Sequence, residues 1–187
     1  MSALAIVPAA GKGERFGGAK LIAEIDGEPL LNRTLRSLLD GGVDHVVVVR
    51  PPDDALASVA LLGDPRVSTA VNPDPSRGMF SSIQAGLAAA AGDPILVLPG
   101  DMPFVTSATV AAVLTAARPG KIVSPRFEGR HGHPVALPGR LRRDVLDAAS
   151  SSTLAMLIDS HATERVFIDV NDRGVVRDVD ARGDLAG

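Results

Sequence analysis

The sequence predicts an α/β fold with a mostly parallel sheet covered by helices on both faces. Six short apolar runs, rich in β-branched residues, predict strands at Leu4–Val7, Val46–Val49, Val67–Val71, Ile95–Leu98, Ile122–Val123 and Val166–Val170. Helical spacing predicts helices at Pro29–Leu39, Asp53–Leu62, Phe80–Ala91, Thr106–Ala117, Leu141–Ala148 and Leu154–Ile158. Because helices alternate with continuous apolar strands, we expect a three-layer α/β/α architecture.

The chain after Lys121 departs from this alternation. Prolines and glycines divide it into short extended pieces, which predicts a β-rich excursion from the sheet. No segment has the length and composition of an interdomain linker. At 187 residues, we expect one domain that spans residues 1–187.

Composition excludes several classes of function. The 19 Lys and Arg against 22 Asp and Glu give a net charge of −3, so no basic field is expected to hold nucleic acid or an anionic membrane. No apolar run is long enough to span a membrane. The chain has no cysteine, which rules out disulfides, thiolate zinc sites and a cysteine nucleophile, and fits a cytoplasmic location.

A glycine-rich loop, Ala9–Lys20, follows the first predicted strand. Its four glycines let backbone N–H groups face an anion, and its three cations would neutralise that anion, so the loop predicts a polyphosphate site. The P-loop pattern fails because Ala19 stands where its lysine belongs. The dinucleotide fingerprint fails because Phe16 replaces its third glycine. A purely structural turn is the alternative.

Asp101 lies directly after the predicted strand Ile95–Leu98, between Pro99 and Pro103. Ligands of open parallel sheets bind at the carboxyl ends of strands, where this carboxylate would meet the glycine-rich loop. Magnesium typically takes one or two carboxylates and completes its shell with water and phosphate oxygens. We therefore expect Asp101 to bind Mg²⁺, with a helix cap as the alternative, although Thr106 or Ser107 is better placed for capping.

These motifs resemble a known family. The segment from Pro8 to Lys20, followed by Asp26–Leu30, resembles the signature of the MobA-like nucleotidyltransferases. The run Gly78–Ile83 is similar to the Gly-Met-Ser-Ser-Ser-Leu stretch of molybdenum cofactor cytidylyltransferases. Pro99–Pro103 and Gly132–Val135 are similar to two further family motifs in the same order. The resemblance covers nearly the whole chain and implies a nucleotidyltransferase (Rossmann-like) fold.

The resemblance also implies roles for individual residues. Backbone from Pro8 to Gly11 would meet the nucleotide, Arg15 and Lys20 would hold the triphosphate, and Asp101 would bind Mg²⁺. Base and ribose would contact Asn72 and the Gly78–Ser82 loop. The nucleotide-binding set is then Pro8, Ala9, Ala10, Gly11, Lys12, Gly13, Lys20, Asn72, Gly78, Ser81 and Ser82, and the catalytic set is Arg15, Lys20 and Asp101.

Two groups outside the main motifs are further candidates. The stretch that contains Asp178 and Asp180 resembles the family's Asp-Ile-Asp-Thr-Pro-Glu-Asp-Leu motif, which implies a place near the metal, and their alternation would put both carboxylates on one face of an extended segment. A solvated acidic tail is the alternative. A zinc site would need more ligands than two histidines, so Arg130, His131 and His133 are assigned to contacts with an acceptor phosphate. Local hydrogen bonding of the histidines is the alternative.

The expected reaction is transfer of a nucleotidyl group, CMP from CTP, to the phosphate of a molybdopterin-type acceptor, with release of pyrophosphate. A molybdoenzyme or chaperone would be the protein partner. The alternatives are GTP in place of CTP, a sugar phosphate in place of the pterin, a MobA-like NAD(P)H-dependent oxidoreductase, and a nucleotide-binding regulator without turnover. Ser150–Leu154 departs from the Gly-Asp-rich stretch common in the family, which leaves the acceptor open.

Overall fold

The computed structural model describes residues 2–11, 16, 20–52, 56 and 59–185. Its main sheet contains eight strands in the described residues, in the order β10-β7-β9-β6-β1-β4-β5, with β8 paired to β7. These strands are β1 (Leu4–Pro8), β4 (His45–Arg50), β5 (Val67–Val71), β6 (Ile95–Val97), β7 (Ile122–Phe127), β8 (Arg130–His131), β9 (Val135–Leu137) and β10 (Arg165–Asp169). A two-stranded ribbon consists of β2 (Glu24–Ile25) and β3 (Glu28–Pro29).

The sheet is mostly parallel, as predicted. The strand pairs β1–β4, β1–β6, β4–β5 and β7–β10 are parallel. Strand β9 runs antiparallel to both β6 and β7, and β8 forms an antiparallel hairpin with β7. The β-rich excursion predicted after Lys121 is therefore built into the main sheet.

Five α-helices lie in the described residues: α1 (Leu30–Asp40), α2 (Met79–Ala89), α3 (Ser107–Ala116), α4 (Arg142–Asp147) and α5 (Leu154–Ser160). Thr106 caps α3 by accepting a hydrogen bond from the Thr109 amide, as its position before the apolar run predicted. No helix among the described residues is both long enough and apolar enough to cross a membrane.

Helices cover both faces of the sheet, which confirms the α/β/α architecture. Successive residues of a strand point to opposite faces, so Ala5 and Val7 join one core cluster while Leu4 and Ile6 join the other. The first cluster includes Leu35 of α1 and Val110 of α3, among other residues. The second includes residues of α2, α4 and α5: Ile83, Leu87, Val145, Leu154, Leu157 and Ile158.

The predicted helix over Asp53–Leu62 is wrong where the structure describes that segment. Ala60–Gly63 form a 3-10 turn, and residues 53–55, 57 and 58 lie outside the described residues. The Leu61 amide donates to Asn32 Oδ1 at 3.0 Å, which ties this turn to α1. Pro65 disfavours a helical conformation at Asp64, which is extended and ends the turn.

Candidate active site

A pocket of about 520 Å³ opens where β1 and β6 end. It lies at the carboxyl edge of the parallel strands, where the sequence predicted it. Its walls come from four parts of the chain: the residues after β1, the start of α2, the turn after β6 and the segment around β8 and 175–178. The lining residues are Pro8, Ala9, Ala10, Gly11, Lys20, Leu21, Pro75, Gly78, Met79, Ser82, Pro99, Asp101, Met102, Arg130, His131, Gly132, His133, Val175, Val176 and Asp178.

The start of the glycine-rich loop forms one wall of this pocket. The Ala9 amide donates to the Val49 carbonyl at 2.7 Å, so the chain follows the sheet to its edge before it turns. Ala9 and Ala10 are buried, whereas Gly11 is exposed. Of the other residues predicted to hold the nucleotide here, Lys12, Gly13 and Arg15 lie outside the described residues.

Lys20 and Asp101 form an ion pair at the pocket wall. Lys20 Nζ donates to Asp101 Oδ2 at 2.8 Å and lies 3.6 Å from Asp180 Oδ1. The Lys20 side chain is 13% exposed and the Asp101 side chain 27%, so water screens the pair only in part. The turn that carries Asp101 is held at its base, because the Gly100 amide donates to the Pro8 carbonyl at 3.0 Å.

Asp178 and Asp180 join Asp101 from the C-terminal segment. Val179 between them is fully buried, and its amide donates to the Asp101 carbonyl at 2.9 Å. The predicted alternation is therefore present, although this segment is extended without being a strand of the sheet. Carboxylate oxygens of the three aspartates lie within 4.8 Å of one another.

This donor set fits a hard divalent cation. Three carboxylates at such close range repel one another unless a positive charge lies among them. The Lys20 ammonium provides part of that charge and contacts two of the three. All-oxygen ligands are those that Mg²⁺ and Mn²⁺ prefer, so Asp101, Asp178 and Asp180 are the described residues suited to hold such an ion.

Asn72, Ser81 and Ser82 form a buried hydrogen-bond network beside the pocket. Asn72 Nδ2 donates to Ser81 Oγ at 2.8 Å and to Ser82 Oγ at 3.0 Å. Ser81 Oγ donates to the Gly78 carbonyl at 2.7 Å, inside the first turn of α2. Of these three side chains only Ser82 lines the pocket. Contact of Asn72 and Ser81 with a nucleotide base stays a prediction. Neither side chain lines the pocket.

The three residues assigned to the acceptor also line the pocket, but their surroundings differ. Arg130 and His131 are exposed, whereas His133 is half-buried. His133 Nδ1 lies 3.2 Å from the Val97 carbonyl, and a carbonyl can only accept, so Nδ1 is the donor. Burial lowers the pKa of His133 and outweighs the opposing effects of that hydrogen bond and of Asp101 and Asp178. His133 is therefore neutral at pH 7, and its Nε2 is an acceptor.

Comparison with known proteins now identifies the family. The model of the MobA-like NTP transferase domain matches residues 5–166. The chain belongs to this family. Among curated relatives, "Nicotine blue oxidoreductase" of Paenarthrobacter nicotinovorans is 33% identical over 195 residues, which cover 94% of this chain and 90% of the relative.

Two further relatives of this MobA-like chain are named as nucleotidyltransferases. A "Probable molybdenum cofactor guanylyltransferase" of Haloferax mediterranei is 27% identical over 80% of this chain and 70% of its own length. A "2-C-methyl-D-erythritol 4-phosphate cytidylyltransferase" of Frankia casuarinae is 32% identical over 89% of this chain and 71% of its own. The names of these relatives thus cover more than one nucleotide and more than one acceptor.

Solved structures of the same fold agree with the architecture of this MobA-like domain. "A nucleotidyl transferase" from Methanothermobacter thermautotroptrophicus superposes with a TM-score of 0.83 at 22% identity, covering 98% of this chain and 94% of the other. The Mycobacterium tuberculosis protein Rv0371c, solved in complex with manganese, has a TM-score of 0.71 at 19% identity, covering 98% and 96%. These similarities establish the nucleotidyltransferase-like fold.

Sequence reasoning missed Asp172, a buried residue that positions the C-terminal segment of the MobA-like domain. Its Oδ2 accepts hydrogen bonds from the Thr106 amide, the Thr106 hydroxyl and the Thr109 hydroxyl, and its Oδ1 accepts one from the Gly174 amide. Burial alone would raise the pKa of Asp172, but these hydrogen bonds outweigh it and hold the pKa below the usual aspartate range. The carboxylate therefore ties the start of α3 to the segment that carries Asp178 and Asp180.

Sequence reasoning also missed that Gly174 and Gly132 allow close contacts with distant parts of the backbone. A Cβ on Gly174 would lie 2.1 Å from the Phe104 carbonyl oxygen, and one on Gly132 would lie 2.1 Å from that of Val175. Each glycine lets two backbones approach where a side chain would force them apart. Only Gly132 lies in a family motif recognised in the sequence, and nothing in the sequence marks which backbone approaches either residue.

Proposed function

We propose that this protein is a Mg²⁺-dependent nucleotidyltransferase that transfers CMP from CTP to the phosphate of a molybdopterin-type acceptor and releases pyrophosphate. The observation that carries the proposal is the convergence of Lys20, Asp101 and Asp178 on a pocket that begins at the glycine-rich loop, with Asp180 next to them. Nucleotidyl transfer needs this combination of fixed cations, a metal site and backbone amides near phosphates.

The chemistry requires little covalent participation by the protein. An oxygen of the acceptor phosphate attacks the α-phosphorus of CTP in line, and the bond from α-phosphorus to the bridging oxygen breaks as pyrophosphate leaves. The acceptor phosphate arrives ionised, so no side chain has to remove a proton from it. When bound, Mg²⁺ neutralises negative charge that develops on the α-phosphate and the leaving group.

The chain's own residues supply the rest. Lys20 lines the pocket and would contact the triphosphate, and Arg15 is proposed as a second phosphate contact. Asp101, Asp178 and Asp180 would hold the metal. An arginine can grip phosphate with two parallel hydrogen bonds, whereas a lysine acts as a mobile point charge, so the two residues are not interchangeable.

The proposed preference for CTP rests on the wall formed by the start of α2. Ser82 lines the pocket and would offer its hydroxyl to the base, and Met79, which is 44% exposed, limits the space beside it. A small pyrimidine edge suits this wall better than a purine. Asn72 would act through Ser82, since its amide group donates to that hydroxyl and fixes its orientation. A cytoplasmic location and a molybdoenzyme or chaperone partner belong to the same proposal.

The test measures initial rates of pyrophosphate release with CTP, GTP, ATP and UTP, each with a molybdopterin acceptor and Mg²⁺. We expect CTP to exceed GTP by about tenfold or more, since one unmatched buried polar group costs about 1 to 3 kcal/mol. Ser82→Ala should reduce that preference. The matched control is Ser160→Ala, which removes a hydroxyl from α5 outside the pocket. Faster turnover with GTP in the unmodified protein would overturn the choice of nucleotide.

A second candidate function is supported by one relative. The chain is 33% identical, over nearly its full length, to a protein named as an oxidoreductase. In that case NAD(P)H would deliver a hydride to an oxidised acceptor and leave as NAD(P)⁺. The missing third glycine of the dinucleotide fingerprint, replaced by Phe16, is against this function. NADPH oxidation by the purified protein with a dye acceptor, in the absence of any triphosphate, would favour it over nucleotidyl transfer.

A further inference from the structure

We infer that His131 and Phe167 form a stacking platform that selects a planar, negatively charged heterocycle as the acceptor. This inference rests on the proposed function, because it names the class of acceptor for the same pocket. It favours an acceptor with a flat heterocyclic ring over a sugar phosphate. The platform is defined as the His131 imidazole together with the Phe167 ring beneath it.

The two rings are nearly parallel. Their centroids lie 4.4 Å apart, and their planes differ by 16°. Both residues come from strands paired to β7: His131 lies opposite Arg126, and Phe167 lies opposite Ser124. The sheet therefore fixes both backbones, and the contact with Phe167 fixes the imidazole plane.

The imidazole of His131 borders the open space of the pocket. Phe167 covers one face of the ring, yet His131 is exposed and lines the pocket. A ring whose lower face is covered and which still borders open space must present its upper face or edge to that space. Flat π-systems stack on such a surface, whereas a puckered sugar makes less contact with it.

Three arginines lie near the platform, and the charge of one of them, Arg126, is compensated by Asp169. The guanidinium carbons of Arg165 and Arg126 lie 4.6 and 5.6 Å from the centroid of the Phe167 ring. Asp169 holds Arg126 through two hydrogen bonds of 2.7 and 2.9 Å, so that guanidinium has a fixed place. Arg130 lines the pocket next to His131. A ligand that combines a flat ring with negative charge would match both properties.

The segment after the platform is held rigidly against the pocket. The Gly132 amide donates to the Pro125 carbonyl at 2.9 Å, and the His133 amide donates to the Val175 carbonyl at 2.9 Å. Val175 and Val176 line the same pocket, so the platform continues into an apolar edge. A heterocycle on His131 would therefore have apolar contacts at its rim and the aspartate cluster elsewhere in the same pocket.

The experiment uses two probes that need no turnover. Pterin-6-carboxylate is flat, anionic and fluorescent, and ribose 5-phosphate is anionic without a flat ring. Binding is measured by fluorescence titration for the pterin and by calorimetry for the sugar. We expect His131→Ala to weaken pterin binding by about tenfold, because stacking of one base on an aromatic side chain is worth about 1 to 3 kcal/mol. Binding of ribose 5-phosphate should change by less than about twofold.

Two variants separate stacking from other effects. His131→Phe keeps a flat ring and should retain pterin binding within about threefold, whereas Phe167→Leu keeps apolar volume but frees the imidazole and should weaken it. His45→Ala removes a histidine at the first residue of β4, outside the pocket, and serves as the control. Circular dichroism melting establishes that each variant is folded.

The outcomes distinguish this inference from the proposed function. Unchanged pterin binding in folded His131→Ala, or equal losses for both probes, would overturn the platform while leaving CMP transfer from CTP intact. Absence of pyrophosphate release from CTP, together with pterin binding that depends on His131, would instead overturn the nucleotidyl transfer and leave the platform as the binding site of another planar substrate.

Discussion

The Lys20 ammonium and a bound metal ion would compete for the same carboxylates. That ammonium contacts Asp101 and Asp180, the carboxylates that would hold the metal, and it is also the proposed triphosphate contact. A single side chain cannot make both sets of contacts at full strength. Its removal should therefore have opposite effects on metal binding and on nucleotide binding.

Lys20→Ala is expected to tighten Mn²⁺ binding in the absence of nucleotide by about twofold to fivefold, since a partly screened ion pair is worth up to about 1 kcal/mol. The same variant should weaken binding of CTP more than binding of CMP, because the missing charge faces the outer phosphates. Electron paramagnetic resonance of Mn²⁺ and calorimetry with both nucleotides measure the two effects.

Lys121→Ala is the matched control, because it removes an exposed positive charge just before β7, outside the pocket. If Lys20→Ala and Lys121→Ala changed Mn²⁺ affinity equally, the effect would come from net charge and the proposed competition would be wrong.

Asp101 contacts Lys20 and the C-terminal segment, and it belongs to the proposed metal site. Asp101→Asn keeps the shape of the side chain and the backbone hydrogen bond from Val179, so the fold should persist. Loss of the negative charge should lower Mg²⁺-dependent pyrophosphate release by about 100-fold or more, as expected for removal of a group that stabilises transition-state charge. Full activity in a folded variant would remove Asp101 from the mechanism.

At the scale of elements, the segment 172–180 behaves as an arm that the rest of the fold holds in place. Asp172 anchors its beginning to α3, Gly174 lets it approach Phe104, and Val179 inserts into the core next to Asp101. None of these three residues contributes a metal ligand. They determine where Asp178 and Asp180 lie.

Asp172→Asn should make stability less dependent on pH in the acid range. The folded pKa of Asp172 is lowered, so its contribution is fully present above the ordinary aspartate pKa of about 3.9 and is lost as pH falls through the lower folded value. Melting temperatures from pH 7 to pH 2.5 measure this. We expect the variant to melt lower at pH 7 and to converge with the unmodified protein at low pH. Parallel melting curves would contradict this account.

Gly174→Ala tests the close approach of this arm to Phe104. The added Cβ would meet backbone atoms that cannot move aside alone, so we expect a loss of about 1 to 3 kcal/mol in the free energy of unfolding. Gly183→Ala is the control, because no atom lies within 4 Å of the position that a Cβ would take there. Urea titration compares them, and equal stability of the two variants would count against the packing argument.

The elements also show how far the sequence could predict this protein. Apolar runs predicted β1, β4, β5, β6, β7 and β10, whereas β2, β3, β8 and β9 were not predicted as strands. Lys20 in the glycine-rich loop and Asp101 after a buried strand were predicted to meet at one edge of the sheet, and the family resemblance pointed to Asp178. The role of Asp172 could not be predicted, since its threonine partners are 63 and 66 residues away. Ser81 was predicted to contact the base, but the sequence does not show that its hydroxyl instead donates a hydrogen bond to the Gly78 carbonyl. Apolar spacing over 53–62 did not distinguish a helix from a 3-10 turn.

At the scale of the whole molecule, one sheet separates two apolar clusters that share its strands. Leu35→Ala and Leu87→Ala remove fully buried side chains from opposite faces. Each should lower the free energy of unfolding by about 2 to 5 kcal/mol. Because the strands contribute to both clusters, each variant should unfold in a single transition with an unchanged dependence on urea.

Met156→Ala provides the comparison, since this side chain is 58% exposed and its truncation should cost less than about 0.5 kcal/mol. Two separate transitions in Leu35→Ala or Leu87→Ala would contradict shared cores. A single transition would support the prediction that residues 1–187 form one domain.

The reversed direction of β9 has a consequence for how this architecture diversifies. Strand β9 runs opposite to β6 and β7. The chain therefore leaves the sheet at the end of β7, turns back through β8, and re-enters the sheet as β9 at the same edge. The whole excursion can lengthen, shorten or change its side chains while β1, which ends at Pro8, and β6, which precedes Asp101, keep their register. The half of the pocket that would receive the acceptor can thus vary from one descendant to another without disturbing the half that would receive the triphosphate.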